Sequence, residues 1–372
     1  MKYKHILALS FFCILNATYA QRLSLIFVGD AMQHESQLKS ARINDSAYNY
    51  NSCYTYIAPI FSQADIVVAN LEVPLGSAPY SGYPAFCAPE SYASALKNAG
   101  VHYMITANNH SCDRGKNGIE GTITKLDSMS IAHTGMFKSS EERKNRYPLL
   151  VEKNGFKIAL LNYTYGTNGV AIPQPYVVNI IDTAQIRSDV ETAKNMQPDA
   201  IFACMHWGAE YELKPNKEQV RLNNFLNKIG VNFIIGSHPH VVQPMIFQPK
   251  TASAPNDKLT IYSLGNFLSN QRKPNTDGGA MVRLVLSKVD GVINVDSVNY
   301  ALNWVYTPTE NGRKKFYILP VSQFENSTAF FAKDTSALRS IQVFAKTTRT
   351  FLNKENKRVS EWNTSVQNIA HD

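Results

Sequence analysis

Beyond residue 20 the chain has no apolar run that approaches the roughly 20 residues a membrane-spanning helix needs, so no span is expected after that point. It also lacks low-complexity tracts and internal repeats, and a charged content of only 18% excludes a disordered chain. Cysteine is scarce, with five in 372 residues, and no two are spaced as CxxC, so the thiols do not point to a zinc site. Basic residues are scattered apart from Arg313-Lys314-Lys315, and no nucleic-acid module is recognisable, so nucleic acid is not an expected partner.

What is present is core-forming material. With 44% hydrophobic and 11% aromatic residues, 372 residues can bury one large domain with an appendage, or two smaller ones. Residues 1–20 form a separate unit: Lys2, Lys4 and His5 precede an apolar run at 6–15, and Thr18-Tyr19-Ala20 supplies small residues at the cleavage positions. That pattern is a secretory signal peptide, and it predicts an exported protein, periplasmic or associated with the cell envelope. Its removal takes away two lysines and no acid, so the formal charge falls from +8 to +6 and the mature chain stays basic. A basic exported protein is compatible with an anionic envelope polymer or a phosphorylated small substrate. In an oxidising compartment Cys53 and Cys87, both in Tyr- and Pro-rich loops, could pair.

The periodicity predicts strands at 23–28, 66–69, 101–106, 200–205 and 231–235, and helices at 91–99, 118–129, 182–196 and 217–229. Asn154-Gly155 between apolar runs predicts a hairpin. Pro74, Pro79, Gly82, Pro84 and Pro89 make residues 73–90 a loop able to cover a crevice, and 245–302 reads as alternating strands. The tail at 334–361 reads as an amphipathic helix docked on the domain through Leu338, Ile341, Phe344 and Phe351. The organisation expected is a signal peptide at 1–20, a domain at 21–305 and a C-terminal extension at 306–372.

Six strand exits carry polar chemistry: Gly29-Asp30, Asn70-Leu71-Glu72, Asn108-Asn109-His110, His206-Trp207-Gly208, His238-Pro239-His240 and Gly265-Asn266. Open α/β folds place ligands at the carboxyl edge of the sheet, so the six exits predict one crevice. His238 and His240, stiffened by Pro239, can each present a nitrogen to one ion of a close metal pair. His206 ends a strand and points outward, Asn109 can offer a carbonyl oxygen, and Asp30 and Glu72 supply the anionic ligands, with Glu72 placed to bridge. His110 faces the substrate as an acid or charge stabiliser, and Asp113 can fix its tautomer. A helix cap is the weaker reading of Asp113, because the helix predicted at 118–129 starts too late. Arg114, Lys116 and Arg272 flank the motifs and could hold an anion, and Tyr80, Tyr83 and the 165–169 loop could line the crevice.

Taken in order, these segments, with Glu210, Val241-Val242-Gln243 and Tyr262-Ser263-Leu264-Gly265-Asn266-Phe267, resemble the motif set of the CapA family of capsule or poly-γ-glutamate synthesis proteins over about residues 23–285. That family is similar to the calcineurin-like metallophosphoesterases. The resemblance implies an α/β fold, a four-layer α-β-β-α sandwich with two central mixed sheets, and a pair of divalent ions, Mn, Fe or Zn. It places Asp30 and His240 on one ion, Asn109, His206 and His238 on the other, Glu72 between them, and His110 beside the scissile bond. The wider superfamily has His two residues after the first Asp, where this chain has Met32 with His34 as the nearest imidazole, and has Asp where this chain has Glu72. One ion or two therefore remain alternatives. So do a metal-dependent hydrolase of a phosphoester or amide, a non-catalytic polymer-binding component of a capsule synthesis or export complex, and, less able to account for the polar strand exits, a purely structural envelope protein.

Overall fold

The computed structural model describes residues 21–364; the expected signal peptide lies outside them. The first sheet is built around Gln21–Ala31, which pairs in parallel with Ile66–Leu71, then Tyr103–Ile105 and Ala132–Thr134. On its other side Gly278–Val289, Val292–Tyr306 and Tyr317–Pro320 continue the sheet antiparallel. The second sheet runs Met245–Gln248, Lys258–Ile261, Phe233–Ser237, Ala200–His206, Phe156–Thr164, Leu149–Lys153, with parallel strands in the middle and antiparallel strands at both edges.

Strand alternation sorts the apolar residues into layers. Leu25, Phe27, Val68 and Ile105 of the first sheet face Leu160, Phe202, Phe233 and Ile235 of the second, and the Phe27 and Phe202 rings stack at 5.4 Å. The opposite faces carry helices. Ile26, Val28, Val67 and Met104 pack with Phe61, Leu96 and Leu126, while Ile201, Met205 and Ile234 pack with Ile186, Val190, Leu222 and Leu226. The result is a four-layer α-β-β-α sandwich with two central mixed sheets. The long helix Thr335–Glu355 buries Ile341, Phe344 and Leu352 in the inter-sheet core, with Leu338 and Phe351 partly buried beside them.

The predicted hairpin forms: Leu149–Lys153 pairs with Phe156–Thr164 through Asn154 and Gly155, whose φ values of 50° and 78° suit a primed turn. The helix predicted at 118–129 instead spans Gly115–Ser128, so it begins one turn earlier. Three helices escape the sequence reading, Glu35–Ala41, Ser140–Arg146 and the single turn Val321–Phe324. The second buries no residue and so has no apolar stripe; its Ser139 cap accepts from Glu142 N. Cys53, Cys87, Cys112 and Cys204 are all free and buried. No helix of the described residues is long and apolar enough to cross a membrane.

Candidate metal centre

The polar strand exits of both sheets meet at one edge, and two glycines allow the approach. A Cβ on Gly29 would lie 1.9 Å from Gly265 O, and one on Gly236 would lie 2.0 Å from Tyr262 O. The exits of Gln21–Ala31 and Phe233–Ser237 therefore press directly against the backbone of residues 262–265, which no larger residue permits. Just past Gly236, His238 and His240 have φ values of 99° and 58°. Non-glycine residues rarely adopt these, and such strain concentrates at ligand sites.

Glu72 lies at the centre. It is fully buried, and neither carboxylate oxygen has a hydrogen-bond partner among the described residues. Its Oε1 is 3.6 Å from His206 Nε2 and 3.9 Å from His240 Nε2. Ligand atoms of Glu72, His238 and His240 form one group within 4.8 Å of one another, and those of Asp30, Glu72 and His206 form a second, so Glu72 is common to both. Two donors bonded to one ion at about 2.1 Å stand roughly 3–4 Å apart, which these separations match. His238 Nδ1 is likewise buried without a partner. Buried polar atoms without partners are rare because desolvation is uncompensated. A set of imidazoles and carboxylates missing only a cation accounts for them, so the residues fit the implied metal.

The electrostatics agree. Burial, and then the Asp30 carboxylate, push Glu72 well above the usual carboxylate range. Burial would raise Asp30 too, but the His240 hydrogen bond and charge and the Asn70 amide outweigh it, and Asp30 is held below its ordinary value. His206 is driven well below the ordinary imidazole value by burial and by His238, His240 and His110. His238 falls to about 4, through burial and then His240. Neutral imidazole is the form that binds metal.

A polar frame aims these groups. Asn70 Nδ2 donates to Asp30 Oδ1 at 2.8 Å and lies 3.3 Å from His206 Nδ1, which also sits 3.1 Å from Ser237 Oγ. His240 Nδ1 is 3.1 Å from Asn266 Oδ1 and 3.2 Å from Asp30 Oδ2, which turns its Nε2 toward Glu72. The backbone N–H of His238 donates to Asp30 Oδ2 at 3.3 Å. Asn109 Oδ1 lies 2.7 Å from His206 Nε2, and its Nδ2 donates to Asn168 Oδ1. Tyr165 packs 4.6 Å from His238 and stacks on His206.

His110 Nδ1 is 2.8 Å from Asp113 Oδ2, which also accepts from Phe86 N, so Asp113 orients the imidazole and is not a helix cap. Phe86 belongs to the 73–90 loop and sets its ring edge-on to both His110, at 4.6 Å, and His34, at 5.4 Å. Through Phe86 this loop packs against the polar edge. Met32 is buried in the apolar layer, and His34 Nδ1 accepts from Asn270 N at 3.3 Å, so neither joins the two ligand groups. The three residues expected to hold an anion have different local settings. Arg114 Nη2 donates to Pro79 O, Lys116 is exposed on its helix, and Arg272 donates to Gln271 O and Val305 O. Sequence reading left out the roles of Asn70, Ser237 and Asn266, though all three lie in the motif segments; hydrophilic residues at the ends of buried strands were the available signal.

The family described as "Bacterial capsule synthesis protein PGA_cap" matches residues 24–271. The "PGA biosynthesis protein CapA" of Bacillus subtilis (strain 168) is 26% identical over 339 residues, 86% of this chain and 76% of that protein. The "Capsule biosynthesis protein CapA" of Bacillus anthracis is 26% identical over 276 residues, 71% of this chain and 64% of that protein. Among solved structures, the calcineurin-like phosphoesterase YfkN from Bacillus subtilis is similar, with a TM-score of 0.45, 14% identity, and coverage of 87% of this chain and 100% of that one.

Proposed function

The chain belongs to the PGA_cap family of bacterial capsule synthesis proteins, and from that premise we propose that it is an exported envelope protein holding two divalent ions, Mn, Fe or Zn. It acts in capsule or envelope polymer metabolism, of the poly-γ-glutamate kind, as a metal-dependent hydrolase of a phosphoester or amide. The observation that carries this reading is Glu72, a fully buried carboxylate with two unpartnered oxygens facing the imidazoles of His206 and His240. Asp30, Glu72, Asn109, His206, His238 and His240 would hold the ions.

Bound there, divalent cations supply Lewis-acid polarisation of a substrate oxygen and a water acidic enough to attack at neutral pH. The remaining work falls to this chain's residues. Asp113 holds His110 Nδ1, which leaves Nε2 to hand a proton to the leaving group. Phe86 and Tyr165 exclude water from the imidazoles they cover.

Non-catalytic polymer binding is the second reading, and the placement of Met32 and His34 favours it. With Met32 in the apolar layer and His34 bonded to Asn270, the segment after Asp30 adds no imidazole to either ligand group, and a polymer carboxylate could complete the coordination. Elemental analysis of residues 21–372, after dialysis and reloading with Mn, Fe or Zn, separates the outcomes. About two equivalents together with cleavage of a phosphoester or γ-glutamyl amide is expected. Metal without cleavage of either class selects the binding role, and no bound metal overturns the hydrolase reading and leaves polymer binding without cleavage.

A further inference from the structure

Away from the crevice, the helix Glu35–Ala41 and the hairpin of Thr309–Glu310 and Arg313–Lys314 form the walls of a groove of about 580 Å³. Lys39, Arg42, Arg313 and Lys314 line it, against a single carboxylate, Asp45. That carboxylate accepts from Arg42 Nη2 at 2.7 Å, so it neutralises one guanidinium and leaves the other three charges unopposed within the groove. Glu35, one turn before Lys39 on the same helix, lies 3.5 Å from its ammonium, an exposed pair of little energetic weight. Clustered charge of one sign in a concavity focuses the field and draws counter-charges in.

The cations are held in a fixed arrangement. The hairpin turns at Asn311 and Gly312, whose φ values of 50° and 73° suit a two-residue primed turn. Arg313 Nη1 donates to Arg42 O across the groove, which ties the hairpin to the end of the helix. Lys314 Nζ donates to Asn270 Oδ1 at 2.9 Å, and Asn270 N donates to His34 Nδ1. Arg272 is two residues beyond Asn270, and its charge, after burial, lowers Lys314 below the ordinary ammonium value. Lys314 thus links the groove through Asn270 to His34, four residues beyond Asp30.

We propose that this groove binds a linear polycarboxylate and guides it toward the crevice. A small anion needs one or two cations, whereas four lining one groove, Lys39, Arg42, Arg313 and Lys314, against one carboxylate match a chain with repeated charges. No aromatic side chain lines the groove, so it lacks the stacking platforms that single-stranded nucleic acid uses. A membrane surface suits a flat or convex patch, and here the charges face inward from two walls. The proposal rests on the reading of the partner as an anionic envelope polymer and adds where that polymer is held.

The test is anisotropy of labelled poly-γ-glutamate of about fifty residues, titrated with the metal-loaded protein at two salt concentrations. The Lys39→Glu/Arg313→Glu variant is compared with Lys346→Glu/Lys354→Glu, which changes the charge equally on the exposed face of the long helix. Groove reversal should weaken binding about tenfold more than the control and lessen its salt dependence, with metal content unchanged. Equal losses in both variants, or no loss in either, overturn the proposal. So does a preference for vesicles containing phosphatidylglycerol over the polymer. A protein without metal or cleavage that still binds polymer through the groove would refute the hydrolase reading alone.

Discussion

Glu72 Oε1 stands 3.6 Å from His206 Nε2, with both side chains completely buried and no hydrogen bond between them. At that separation a cation fits between the two atoms. Replacing Glu72 by Gln removes the anionic member common to both ligand groups, so the variant should fold and bind less than half the wild-type metal. Elemental analysis alongside circular dichroism checks this; wild-type metal content in Glu72→Gln would remove Glu72 from the ligand set. His238→Ala should likewise lose metal while keeping its fold.

Asn70 holds both Asp30 and His206 without belonging to either ligand group. Asn70→Ala should lower metal affinity about 10–100-fold, the usual effect of losing a group that orients ligands. Competition with a chromogenic chelator measures it, and unchanged affinity would show that Asp30 and His206 keep their aim without the amide.

Asp113→Asn should leave metal content intact and slow hydrolysis by about 10²-fold, since His110 then loses the carboxylate that fixes its Nδ1 proton. The readout is kcat on whichever phosphoester or amide the wild type cleaves, with KM little altered. A fall in metal content would instead place Asp113 in the support of the ligands.

A methyl group at residue 29 would meet Gly265 O at 1.9 Å, and the atom it meets is backbone. Gly29→Ala should therefore cost about 3 kcal/mol of stability by urea unfolding. A cost below about 1 kcal/mol would show that residues 262–265 yield easily.

His34 falls from 6.5 to about 4 through burial, reinforced by His240, His110 and Arg272 and opposed by the Gln37 hydrogen bond. A base whose folded value is depressed favours the native state while neutral. Its contribution is complete above pH 6.5 and is lost as pH falls toward about 4; its full size is about 3 kcal/mol. His34→Gln should flatten the acid limb of the stability profile in that window. An identical limb in both proteins would locate the acid sensitivity elsewhere.

The layers of the sandwich were legible because buried strands announce themselves through β-branched runs, and Asn154-Gly155 fixed one hairpin register. The expectation of four layers came from the motif resemblance, and the two sheets with outer helices bear it out. Legibility failed where structure depends on partners distant in sequence. Asn70 reaches His206 across 136 positions, a pairing no local pattern encodes. The helix Ser140–Arg146 has no apolar face to reveal it. The start of Gly115–Ser128 was misplaced because its first turn is polar and its cap, Arg114, is not a capping residue. Of the three basic residues that flank the motifs, Arg114 and Arg272 donate to backbone carbonyls and Lys116 is exposed, local settings that the sequence does not encode.

Asp30, Glu72 and Asn109 lie at or beyond the ends of strands of one sheet, whereas His206, His238 and His240 lie at or beyond the ends of strands of the other. Apolar packing joins the two sheets through most of their area, and at this edge polar groups replace it. An ion bound there is a fastener across the seam, so chelation should loosen the two halves against each other before either unravels. The supply of metal would then set the stiffness of the molecule as well as its chemistry.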